Sequence, residues 1–175
     1  THPFSMTFSV RHGYNPSGSN NWQVFCFAQN HNFSNPSNVH AALVLGVNYW
    51  GNDDMIKLWE VNNGEIIERF NTGLNYQEAF GPDTTVTLKL FHDSSGSWKI
   101  EYHLPQEDAS TVLDSKLPVK AIHGKYLGFR YVYSSSQDQK LWIDDVIIDG
   151  HFYEDTIPPR VEKTLSAGPE TACIT

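Results

Sequence analysis

Apolar residues recur at every second position along most of this chain, in short runs separated by clusters of Gly, Pro, Asn, Asp and Ser. In residues 4–10, Phe4, Met6, Phe8 and Val10 fall on one side, and Ser5, Thr7 and Ser9 on the other. In residues 97–104, Trp98, Ile100, Tyr102 and Leu104 alternate with Lys99, Glu101 and His103. A period of two is that of a strand with one face on a core, and it excludes a helical fold for these stretches.

The remaining runs extend the pattern. Residues 22–28 and 41–47 are apolar on both faces and read as central strands. Residues 56–61 and 65–70 flank Asn62-Asn63-Gly64, a hairpin signal because Asn and Gly tolerate positive φ. Residues 84–91 and 97–104 flank Asp93-Ser94-Ser95-Gly96, a second hairpin. Residues 126–133 and 140–148 are further strands, and 111–113 a short one. About nine strands with turn signals between them, and no helical period, predict an all-β antiparallel two-sheet sandwich. One domain is expected over residues 1–154. A tail over 155–175 is set off by Thr156-Ile157-Pro158-Pro159, since proline lacks the donor a central strand needs.

Composition excludes several functions. Twelve Lys and Arg face twenty Asp and Glu, for a net charge of −8, with no basic cluster. Neutralising phosphates requires Lys and Arg, so nucleic acid is not an expected partner. No apolar run approaches the roughly 20 residues of a membrane span. Cys26 lies in an apolar run and Cys173 in the polar tail; a disulfide between them stays open. The eight histidines form no i, i+4 pair, so no zinc site is expected. The chain enters a strand at Phe4 with no signal peptide before it, and reads as a processed or truncated piece of something longer.

Three segments together resemble a known family. They are Asn15-Pro16-Ser17-Gly18-Ser19-Asn20-Asn21-Trp22 between strands, Asp93-Ser94-Ser95-Gly96-Ser97-Trp98, and Leu141-Trp142-Ile143-Asp144-Asp145-Val146 followed by Asp155-Thr156-Ile157-Pro158-Pro159. Their order and spacing resemble the concanavalin-A-like (laminin-G-like) jelly-roll domains of secreted and cell-surface proteins of the Bacteroidetes lineage. The resemblance covers about residues 4–161. It implies a jelly-roll sandwich of an exported surface protein, with sugar bound by loops or by a concave sheet face, sometimes with Ca²⁺. Such domains usually begin some tens of residues before the strand that holds Phe4. The resemblance therefore implies a sheet edge to be completed by another segment, the tail, or a partner chain.

The best candidate binding loop is Asn48, Tyr49, Trp50, Gly51, Asn52, Asp53 and Asp54. Flat aromatic faces stack on sugar C–H groups, while amides and carboxylates hydrogen-bond hydroxyls, and loops on rigid scaffolds carry function. Against that reading, Tyr49 and Trp50 could cap the core. Tyr131 and Tyr133 form a second candidate surface, for which core packing is the plainer reading. Asp144 and Asp145 fall on opposite faces of an apolar run, so one is expected to point inward and to be satisfied by a hydrogen bond, with Lys140 or Arg130 nearby. No cofactor is expected; Ca²⁺ at this pair is left as the one exception, needing six to eight oxygens. Glu65 and Glu68, three apart, would lie on opposite faces of a strand, and Glu60 is isolated. No paired-carboxylate arrangement of a glycosidase is therefore expected. The leading expectation is a non-catalytic carbohydrate-binding or adhesion module. A structural or assembly domain that binds a surface protein is the alternative, and a glycoside hydrolase or lyase comes third.

Overall fold

The computed structural model describes residues 2–94, 96–119 and 124–151. The described residues form ten strands: β1 (Phe4–His12), β2 (Asn21–Ala28), β3 (Ala41–Val47), β4 (Met55–Asn62), β5 (Glu65–Asn75), β6 (Thr85–His92), β7 (Ser97–His103), β8 (Thr111–Pro118), β9 (Tyr126–Val132) and β10 (Leu141–Gly150). One short helix, α1 (Tyr76–Ala79), follows β5. Two antiparallel sheets result, with strand orders β10-β1-β6-β7-β8 and β5-β4-β3-β2-β9. The chain is thus an all-β sandwich.

The inward faces make the main core. Met6, Phe8 and Val10 of β1 meet Trp22, Val24 and Cys26 of β2, Leu43, Leu45 and Val47 of β3, and Ile56 and Leu58 of β4. Phe8 sits edge-on to both Trp22 and Phe129, tying the sheets together through rings. The two hairpins form where expected. Asn63 and Gly64 adopt φ of 49° and 81°, the primed-turn geometry that matches strand twist. The short strand anticipated at 111–113 runs to Pro118. Helix α1 was not anticipated; Asn75 caps it by accepting from the Glu78 amide.

The second sheet is covered on its outer side too. Phe25, Val44, Trp59, Val61 and Tyr49 pack there with Phe33, from the segment between β2 and β3. Phe33 stacks on Phe25 at 4.6 Å and occupies the space a side chain would take at Gly128, where a Cβ would come within 2.0 Å of its ring. This second layer explains why residues 22–28 and 41–47 are apolar on both faces.

Asp144 and Asp145 depart from expectation in direction, though their carboxylates take the hydrogen bonds expected of them. A bulge interrupts the β1–β10 ladder between Thr7 and Ser9, and Asp145 takes φ of 52°. The extra residue turns both carboxylates to solvent. Asp144 accepts from the Asp145 amide at 2.8 Å, and Asp145 accepts from Ser9 at 3.4 Å. Neither carboxylate points into the core, and neither is bonded to Lys140 or Arg130.

Candidate functional site

One end of the sandwich gathers three loops. They follow β1 (residues 13–20), β3 (48–54) and β9 (133–140). Asn52 packs against Gly18, whose Cβ position lies 3.4 Å from Asn52 Oδ1. Asn20 Oδ1 accepts from both the amide and the hydroxyl of Ser134, at 2.8 and 3.0 Å. The three loops therefore form one connected surface.

The residues expected to bind ligand separate by position within this surface. Trp50 is 69% exposed. Tyr49 is buried, edge-on to Phe25 and Trp59 in the outer apolar layer. It caps the core and presents no stacking face. Burial pushes its hydroxyl up to about 12, against the pull of the Arg130 charge. Asn48 and Asp54 clasp the base of the loop: the Asn48 amide donates to Asp54 at 2.5 Å, and the Asp54 amide donates back to Asn48 Oδ1 at 2.9 Å. Both residues have positive φ, so the clasp holds a conformation the backbone alone disfavours.

Asp53 is occupied as well. Its carboxylate lies 2.6 Å from Lys57 Nζ, which also reaches Glu68 at 2.9 Å. Partial burial works against the charged carboxylate, but the Lys57 hydrogen bond, the Met55 amide and the Lys57 charge prevail and lower its pKa. Helix α1 supports the loop from behind, with the Tyr76 amide donating to Asp54 O at 2.8 Å and Asn75 to Asp53 O at 3.2 Å. The outcome is a rigid loop whose exposed tip is Trp50, with Asn52 at its side.

A second aromatic group lies at the same end. Tyr14 donates to the Tyr131 hydroxyl at 2.6 Å, and Tyr131 donates to Gln137 O at 2.6 Å. Tyr131 and Tyr133 stack at 4.8 Å, and Tyr133 is 47% exposed. Beside them Trp142, 42% exposed, carries the Arg11 guanidinium 4.0 Å above its ring. Sequence reasoning singled out Tyr131 and Tyr133 but not Tyr14, Arg11 or Trp142. Alternation could not find these three: Arg11 meets Trp142 through the β1–β10 register, and Tyr14 meets Tyr131 across 117 positions of sequence.

Across the outer face of the second sheet, Arg130, Gln23, Gly46, Lys57 and Asn71 stand in register. Arg130 donates to Gln23 at 2.7 Å, and Gln23 donates to Asn21 at 2.7 Å and to Val47 O at 3.1 Å. This row is internally satisfied. Of the carboxylates weighed for catalysis, Glu60 is engaged by Arg69 at 2.7 Å and Glu68 by Lys57, while among the described residues Glu65 enters no ion pair. Among the described residues no group of three His, Cys, Asp or Glu is arranged to hold a metal. Cys26 is buried, its thiol pushed up to about 12 by burial; Cys173 and the tail lie outside the described residues. No described helix is long and apolar enough to cross a membrane. Comparison with family models, with curated proteins and with solved structures returned no match.

Proposed function

We propose that this chain is a non-catalytic carbohydrate-binding module, of jelly-roll type, belonging to an exported surface protein with an adhesive role. The observation that carries the reading is Trp50: a large aromatic held in water at the tip of a loop that hydrogen bonds keep rigid. Exposing an indole costs free energy that burial would recover, about 2–3 kcal/mol for a side chain of this size. A single exposed ring is common on protein surfaces; Trp50 stands apart because a hydrogen-bonded loop fixes it where three loops meet. A prefixed ring also loses little conformational entropy when a sugar ring stacks on it. Asn52 supplies an amide for hydroxyls beside it. The reading requires no cofactor.

A glycan array followed by calorimetric titration tests the proposal. At least one saccharide class is expected to bind, and Trp50→Ala is expected to weaken it by tenfold or more while leaving the far-ultraviolet spectrum unchanged. Binding indifferent to Trp50→Ala would remove the loop from the site.

The assembly reading draws on a different observation. Among the described residues strand β10 is a sheet edge, with Val146, Ile147 and Ile148 exposed at 42, 63 and 36%. Unprotected apolar edges invite strand pairing. Light scattering on a size-exclusion column separates the two: a monomer at all concentrations speaks against assembly.

A further inference from the structure

We infer that the loop end is selective for saccharides bearing a negative charge, carboxylate or sulfate, held at Arg11 and Lys140 beside Tyr133 and Trp142. The inference rests on the carbohydrate reading above and narrows it.

The chain is acidic overall, at −8, and four of its described cations serve a carboxylate. Lys57, Arg69, Lys99 and Lys116 are all in ion pairs. Among the described residues Lys89, Lys125 and Arg130 enter no ion pair, and neither do Arg11 and Lys140. These last two are brought together by the fold. The Gly13 amide donates to Lys140 O at 2.8 Å, closing the end of the β1–β10 ladder. Gly13 also leaves room for Trp142, since a Cβ there would lie 3.3 Å from the indole ring. Arg11 lies over one face of that indole, and Lys140 Nζ donates to Gln137 Oε1 at 3.0 Å.

Gln137 in turn holds the tyrosines, accepting from Tyr131 through its carbonyl. Two cations, an exposed indole and an exposed phenol ring thus share one connected patch. Asp138 is the carboxylate whose charge reaches Tyr131; it forms no ion pair with Lys140.

A guanidinium 4.0 Å above an indole centroid is held by its carbon and not through its N–H donors, and the fork of those donors matches carboxylate and sulfate oxygens. Tyr133, stacked on Tyr131 and 47% exposed, offers aromatic surface to a sugar ring. The general acidity of the chain does not cancel this local field, because charges more than about 10 Å away are largely screened at physiological salt.

The test is calorimetric titration of the whole chain with three probes of equal length: a heparin-derived hexasaccharide, a galacturonate hexamer and neutral cellohexaose, with inorganic sulfate as a fourth arm. At least one charged hexamer is expected to bind tenfold or more tighter than the neutral one, and to weaken as salt rises. Arg11→Gln and Lys140→Gln are each expected to cost that ligand about tenfold, and Tyr133→Ala a comparable loss. Lys99→Gln, on β7 two strands away from β1, should change nothing. If Arg11→Gln does not fold, Lys140→Gln and Tyr133→Ala carry the test. Equal binding of the neutral hexamer, unaffected by these variants, would overturn the selectivity and leave the carbohydrate reading standing. Sulfate that competes as well as the hexasaccharide would also overturn it, since the site would then hold an anion alone. Absence of binding to any saccharide, there and on the array, would remove both readings.

Discussion

Strands β2 and β10 are similar on paper and opposite in the fold. Each is a long antiparallel strand rich in Trp, Val, Ile or Phe. In β2 every residue but Phe27 is buried; in β10 none is. The difference is position. Strand β2 has β3 and β9 on its flanks, β1 beneath it, and Phe33 above it. Among the described residues strand β10 has one neighbour, β1, and a bulge divides its register. The two flanks of the sandwich differ in the same way. Strands β5 and β8 pack against each other at one flank, whereas among the described residues β9 and β10 at the other meet less. Apolar composition makes a strand; its rank in the sheet order decides whether that strand becomes core or surface.

This contrast predicts unequal costs for truncation. Trp59→Ala empties a site that is 1% exposed and should cost about 3–5 kcal/mol in urea unfolding. Ile147→Ala, at 63% exposure, should stay within about 0.5 kcal/mol. Comparable losses at the two positions would mean that something in solution covers β10.

Acid should expose a weakness at the packed end. His12 is fully buried against Tyr14, Tyr76 and Tyr131, and burial lowers its pKa from 6.5 to about 4. The unfolded chain takes up this proton near pH 6.5 and the folded one only near pH 4. Between those values the unfolded state holds more protons, so stability falls as pH falls and levels off below. The loss is roughly 3 kcal/mol. Denaturation from pH 7 to 4 on wild type and His12→Phe checks it; the variant should show a shallower slope across that window.

The smallest effect concerns the loop clasp. Asn48→Ala removes two hydrogen bonds to Asp54 and puts alanine at φ of 52°. A loss of about 1–2 kcal/mol is expected by urea melt. No change would mean that the loop is held by its tip contacts alone.

Much of the fold was legible because alternation reports which side a residue faces. Phe4, Met6, Phe8 and Val10, and Trp98, Ile100 and Leu104, face inward as read. What alternation cannot report is partnership. Gly46 sits beneath a strand so close that a Cβ would meet Trp22 O at 2.4 Å, yet in the sequence it is an unremarkable break in an apolar run. Tyr49 and Trp50 are adjacent and chemically alike. One is core and the other solvent, because the outer apolar layer of Phe25, Phe33 and Trp59 reaches only as far as Tyr49. Arg11 and Trp142 are 131 positions apart and meet only through strand register. Asp144 and Asp145 were misplaced because a bulge shifts the period by one residue without any glycine to mark it.

The five indole N–H signals in a nitrogen-15 correlation spectrum test the account most directly. Trp22, Trp59 and Trp98 are buried, while Trp50 and Trp142 are exposed at the loop end. Titration with the saccharide selected on the array should move the Trp50 and Trp142 signals and leave the other three in place. Movement of Trp59, with Trp50 and Trp142 still, would put the ligand on the sheet face and contradict the loop-end site.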